Sequence, residues 1–289
     1  MNSVKKKKCV FAGVLYFLLI CCAVIFCFPI FMLVSRSLMT TTEATLVPAR
    51  FWPEVAQWKN YAEIFEAVGE YNGTSYWWLW FKNTVLLELG TISGTVLSSV
   101  WVAYGFTRIR FPGRNIVFAI VLGTMMIPST VTMIPLYTIF SDLHWLNTLH
   151  PLIWPMWCGG GAVNIFLVAQ YLRTLPKEFN ESAEIDGAND FGIFLRIILP
   201  SATPILVAVG IGAFVGVWND LMNPLMYLNT KEMWTLALGV TTLNTSSGDI
   251  GGIPFVFAAC VIFSLPPLVL FTVAQKYFIE SVIMSGLKG

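Results

Sequence analysis

The chain has 289 residues, of which 56% are hydrophobic and only 11% charged, with a formal net charge of +1. A soluble domain carries about 25% charged residues, so a soluble fold of this length would lack the polar surface to cover itself. The near-neutral balance has no basic stripe to recruit nucleic acid, and the chain reads as an all-α, polytopic membrane protein forming one membrane domain over residues 1–289.

Runs of about 20 apolar residues mark six spans, near 9–34, 84–106, 115–140, 151–172, 194–218 and 254–275. The first follows Lys5–Lys8 and runs from Cys9 to Val34, too long for the roughly 7–15 apolar residues of a signal peptide. Residues 35–82 then form one large external region, read as a short helical cap. In it Trp77, Trp78 and Trp80 stand where an interfacial belt would lie before the second span. That span carries Glu88, the one ionisable side chain inside an apolar run, about one turn from its outer end; such residues are functional candidates. The third span contains Pro128 and Pro135, and the fourth starts at Pro151 and holds Gly159, Gly160 and Gly161. Freed backbone groups in such helices must be satisfied by neighbouring protein, so the spans pack as a bundle. His144 and His150 fall in the outer turn between them, and the six cysteines show no paired or metal-ligand spacing.

Lysine and arginine set the orientation. With the N-terminus inside, 12 of them lie in inner segments and 5 in outer ones, so both termini are read as cytoplasmic. This places loop 173–193 inside the cell. The loop holds Glu178, Glu181, Glu184, Asp186 and Asp190 against Arg173 and Lys177. Carboxylates after Pro176 fit a helix start, where they meet the positive end of the dipole, and Gly187 fits a helix end. The helix between them is too short to persist alone in water and needs a surface to pack on.

Residues 181–200 carry Glu181, Ser182, Ala183, Asp186, Gly187 and Ala188, followed by Phe194, Ile197, Leu199 and Pro200. This pattern resembles the EAA loop of ABC importer permeases, with Ser182 in place of a usual alanine. Met126-Ile127-Pro128 with Ile134-Pro135-Leu136-Tyr137, Trp218-Asn219-Asp220 with Pro224-Leu225, and the ending Gly286-Leu287-Lys288-Gly289 are similar to the carbohydrate (maltose-type, second permease) branch. The resemblance implies a pore-forming subunit of an ATP-driven, binding-protein-dependent importer in a bacterial cytoplasmic membrane, with a sugar or oligosaccharide as cargo. It implies four partner proteins: a second homologous permease, two ATPase subunits and an extracytoplasmic solute-binding protein.

By the same resemblance, Glu181 and Asp186 offer polar contacts to an ATPase, Ser182 and Ala183 permit close approach, and Gly187 bends the chain. Ala188 belongs to the same motif, and Pro200 passes the motion to the fifth span. The chain has no G-x-x-x-x-G-K-[ST] phosphate loop. No cofactor is therefore expected on it, no metal either, and ATP with Mg belongs to the partner ATPase. Asn164, Trp218, Asn219 and Asn223 are of suitable type for a sugar pathway, and the polar stretch 241–249 for touching a binding protein. A polyol or glycerol-phosphate importer is the nearest alternative. A secondary carrier has no use for the loop, and a membrane enzyme needs clustered polar groups that the sequence lacks.

Overall fold

The structure, a computed structural model, describes all residues except 1, 49, 177, 186, 246–251 and 287–289. Among the described residues the chain is almost entirely helical. In order it forms α1 (Asn2–Ser37), α2 (Thr41–Ala44), α3 (Lys59–Ala67), a two-stranded ribbon (β1, Glu70–Tyr71; β2, Thr74–Ser75) and α4 (Tyr76–Thr107). There follow α5 (Arg114–Thr124), α6 (Ser129–Asp142), α7 (His150–Trp157), α8 (Ala162–Thr174), α9 (Glu178–Ile185) and α10 (Asp190–Ile193). A π-helical turn at Phe194–Ile198 leads to α11 (Leu199–Ser201), α12 (Thr203–Trp218), α13 (Met222–Tyr227), α14 (Leu236–Thr245) and α15 (Ile253–Gly286).

Among the described residues, four helical stretches are long and apolar enough to cross a membrane: Phe11–Ser37, Tyr76–Thr107, His150–Thr174 and Ile253–Gln275. Two more spans arise if each bent pair counts as one, Arg114–Thr124 with Ser129–Asp142 (97°) and Asp190–Ser201 with Thr203–Trp218 (72°). The expected third and fifth spans are therefore broken rather than straight. In the third the break is at Pro128, whose backbone is extended (ψ 134) and which has no N–H to continue the ladder. The second span begins at Tyr76 and not near 84, which shortens the expected external region and corrects the belt. Trp77 and Trp80 lie inside the helix and are each 2% exposed, and only Trp78 faces outward.

The chain divides into two compact units, one taking residues up to Ser75 with Val240–Leu265, the other Tyr76–Gly239 with the chain from Pro266 onward. In the first, Asn60 is buried and its amide donates to the Ser37 and Met39 carbonyls at 2.8 and 3.1 Å. Ser37 and Tyr61 share a 2.6 Å hydroxyl pair. These bonds hold α3 against the end of α1, while Thr40 and Glu43 form a capping box on α2. In the second unit α4 is the central element, touching α7, α8 and α12. Its C-terminal half enters a hydrophobic core, where Val100, Ala103 and Tyr104 cluster with Val168, Ala169 and Leu172 of α8 and with Ile193, Phe194 and Ile198.

Candidate coupling site

The acidic loop folds as expected: α9 covers Glu178–Ile185. Its end is closed by the Ala188 N–H, which donates to the Ala183 carbonyl at 2.9 Å, with Gly187 in the left-handed region at φ 81. That six-to-one bond over a left-handed glycine is the Schellman closure, and a side chain there would strain the backbone although no atom lies within 4 Å of an added Cβ. Glu181 lies in the helix; Asp186 lies outside the described residues. Ser182 and Ala188 are exposed.

Ala183 is 8% exposed and belongs to the core of its own unit. Its small side chain thus packs within its own chain. Among the described side chains of α9, Ile185, which the motif does not single out, is an apolar residue left open, at 86% exposure.

Beyond Gly187, Asn189 caps α10 by accepting the Gly192 N–H at 2.8 Å. The helix then widens, with the Leu199 N–H reaching back to the Phe194 carbonyl. Pro200 explains the widening, since its ring would collide with the carbonyl four residues back in an α-helix. Pro200 itself is exposed. Pro204 removes a second donor, and the Thr203 hydroxyl takes its place by donating to the Pro200 carbonyl at 2.7 Å. The 72° bend into α12 sits between these two prolines. Phe194 packs edge-on against Trp101 at 4.8 Å and against Tyr104 at 5.1 Å, and the Tyr104 hydroxyl donates to the Asp190 carbonyl at 3.2 Å. Arg108, just past the end of α4, donates to the Leu172 and Leu175 carbonyls at 2.8 and 3.0 Å. The segment 178–201 is therefore seated on one end of α4 and α8 and is continuous with α12.

The four candidate pathway residues are not brought together as a lining. Asn164 donates to the Gly160 carbonyl at 2.7 Å and closes the break between α7 and α8. Asn219 donates to Val215 at the end of α12, and Asn223 pairs with Asp220 at the start of α13. Trp218 is 2% exposed and stacked on Phe214 at 5.5 Å, so it is neither an accessible wall nor a belt residue. All but residues 241–245 of the polar stretch 241–249 lie outside the described residues.

Residues 94–283 match the family described as binding-protein-dependent transport system inner membrane component. The chain is a member of that family. The permease is 34% identical to the arabinooligosaccharides transport system permease protein AraQ of Bacillus subtilis, over 95% of this chain and 94% of that protein. It is 30% identical, over the same shares, to the galactooligosaccharides transport system permease protein GanQ of Bacillus subtilis. The sn-glycerol-3-phosphate transport system permease protein UgpE of Yersinia enterocolitica is 28% identical over 89% of this chain and 91% of its own. The fold is shared with a chain in the crystal structure of a bacterial ABC transporter involved in the import of the acidic polysaccharide alginate (TM-score 0.79, 22% identity, 93% of this chain and 96% of that one).

One feature of the permease escapes motif reading. Asn83, Thr84, Glu88, Thr91, Thr95 and Ser99 are all buried, and their three- and four-residue spacing puts most of them on one stripe of α4. Several are stitched to backbone elsewhere. Thr84 accepts the Leu236 N–H at 2.8 Å, and Asn83 donates to the Glu232 and Trp234 carbonyls. Next to the stripe, Ser98 donates to the Trp157 carbonyl and Trp157 to the Gly90 carbonyl. Glu88 is the exception: it is 5% exposed and neither carboxyl oxygen has a hydrogen-bond partner among the described residues. Because α4 starts at Tyr76, Glu88 is roughly 18 Å along the helix from its first residue. The sequence signal, polar residues repeating at helical spacing in an apolar run, was available but pointed to no motif.

Proposed function

We propose that this permease forms half of the translocation pathway of an ATP-driven, binding-protein-dependent sugar importer, the whole chain acting as one transmembrane domain. Its cargo is a sugar or oligosaccharide, as the names of the arabinooligosaccharide and galactooligosaccharide relatives support. The observation that carries the mechanism is the continuity of α9, the Gly187 turn, the π-widened segment and the bent α12. A short helix that cannot stand alone, bearing exposed Ile185 and acidic side chains, is attached through a stiff but articulated strut to a span. Two cytoplasmic ATPase subunits, which bind ATP and Mg, each hold one such helix, here and on a second homologous permease. When ATP draws them together the strut tilts α12, a rigid-body change between two states. In this reading Glu181, Ser182, Asp186 and Ile185 face the ATPase, while Ala183 holds the helix to its own span. Gly187 and Pro200 shape the joint. Both termini are cytoplasmic, and a solute-binding protein delivers cargo outside. Asn219 and Asn223 remain the exposed polar candidates near the pathway, with Asn164 and Trp218 acting from behind it.

Purification of the tagged chain from its own membrane tests this. Recovery of two ATPase subunits and a second permease is expected, with ATPase activity stimulated by a binding protein loaded from a panel of arabino- and galactooligosaccharides. Transport without any associated ATPase would overturn the assembly. The glycerol-phosphate relative makes glycerol 3-phosphate the necessary arm of the panel: stimulation by it alone would replace the sugar reading and leave the mechanism standing.

A further inference from the structure

Two adjoining cavities lie where α4 ends. One, of about 390 Å³, is an apolar groove walled by Trp101, Gly105, Phe106, Phe111, Phe191 and Phe194. The other, of about 410 Å³, is formed by Arg110, Gly113, Arg114 and Asn115, with Phe111 common to both. Two of the groove's large apolar residues are open, Trp101 at 53% and Phe191 at 55% exposure, while Phe194 forms its buried floor at 4%. Neither Arg110 nor Arg114 makes an ion pair among the described residues. Arg114 gives one N–H to the Ile109 carbonyl at 3.2 Å, which leaves most of its five donors available. The one carboxylate at the groove, Asp190, comes from the α10 side, where Tyr104 binds its backbone. Phe111 and the arginines follow the end of α4, beyond Thr107.

We infer that this pair of cavities holds an anionic phospholipid of the leaflet that faces the arginines, with its phosphate on Arg110 and Arg114 and an acyl chain in the groove. The polarity order fixes the pose. Arg110 lies beyond the apolar helix, at headgroup level, and Trp101 lies roughly 9 Å along α4 before its last residue, Thr107, so a chain running from the arginines enters the groove in the direction of the bilayer core. Basic pockets between spans recognise anionic headgroups, and each arginine at the surface contributes about a factor of five in affinity. A free phosphate would use the arginines and leave the groove empty. A protein segment would have no need of an unpaired cationic pocket continuous with an apolar slot.

The test uses the full chain purified with its associated subunits in neutral detergent. The probes are dibrominated-acyl phosphatidylglycerol and the phosphatidylcholine with the same chains, which quench tryptophan on contact. Subtracting the signal of Trp101→Phe isolates the groove. Quenching of Trp101 by the glycerol lipid is expected at roughly 25-fold lower concentration than by the choline lipid, falling to roughly 5-fold in Arg110→Gln or Arg114→Gln. Both lipids should act equally in the double variant, and Arg110→Lys should keep most of the preference and exclude a folding defect. Equal quenching in the wild type overturns the headgroup assignment. Binding of millimolar inorganic phosphate that leaves the lipid quenching unchanged assigns the arginines to a free anion and overturns the headgroup placement. No quenching by either lipid shows the groove covered by an associated subunit and overturns it also.

Discussion

The seam along α4 and the hinge at Gly187 use glycine for opposite reasons, and the contrast separates what this chain completes by itself from what it leaves to a partner. In the seam, a Cβ on Gly160 would sit 2.5 Å from the Thr95 carbonyl oxygen and one on Gly239 only 2.1 Å from the Trp80 ring. Those glycines exist so that backbones and buried rings can touch. At Gly187 there is no neighbour at all, only a positive φ. The seam is finished packing. The hinge is a bend in open space, flanked by Ile185 on one side and Phe191 on the other, both largely exposed.

The strongest way to break this contrast is Gly160→Ala, which combines a backbone collision with a left-handed φ of 68. Overpacking of this kind costs about 1–3 kcal/mol and the conformation about 1–2 more, so a loss of about 3 kcal/mol is expected. It is read as a lower unfolding midpoint of the detergent-purified protein. Gly123→Ala, in α5 with ordinary φ and nothing within 4 Å, should be neutral or slightly stabilising. Equal effects from the two would mean that the seam is not tightly closed.

Glu88 sharpens the same comparison from the other direction. A buried carboxyl with no partner carries the desolvation cost of its polar atoms, about 1–3 kcal/mol. Glu88→Met keeps the volume and removes that cost, so the unfolding midpoint should rise by an amount corresponding to about 2 kcal/mol. A fall instead would show that the assembled transporter supplies Glu88 with a partner.

Gly187→Ala should behave unlike either. The left-handed conformation costs alanine about 1 kcal/mol, so the midpoint falls by no more than about 2–4 °C for a domain of about 150–250 residues. Substrate uptake per ATP hydrolysed should fall sharply. Uptake at the wild-type ratio, with ATPase activity intact, would remove Gly187 from the coupling path.

The hinge was legible in the sequence because its signals are local. Pro176, the early carboxylates and Gly187 act within a few residues of themselves, and α9 ends where they place it. The direction of Ala183 was not legible, because a small residue permits close packing on either side and only its burial in the folded chain decides. Most helix ends fall within a few residues of the expected span bounds. The sharp bends were not legible, since whether a proline such as Pro128 or Pro204 kinks or breaks a helix depends on what re-satisfies the freed carbonyls. Trp77 and Trp80 were misplaced for a related reason. Tryptophan is at home both at an interface and in a core, and Trp80 is drawn inward by Gly239 beneath its ring and by a 2.8 Å bond to the Lys231 carbonyl.

Tyr104 is the point where seam and hinge meet. Its ring belongs to the α4 core, while its hydroxyl reaches the Asp190 carbonyl at the start of the strut. Tyr104→Phe keeps the packing against Phe194 and deletes one hydrogen bond of about 1 kcal/mol, a fall of roughly 2–4 °C in midpoint for a domain of about 150–250 residues. If the strut moves as a rigid piece pivoting at Gly187, this change should leave the ratio of transport to hydrolysis near wild type, because α10 stays fixed to the strut by its own cap at Asn189. If instead Tyr104→Phe uncouples as completely as Gly187→Ala, the pivot lies at the contact between α4 and Asp190. Gly187 would then be only the end of a helix.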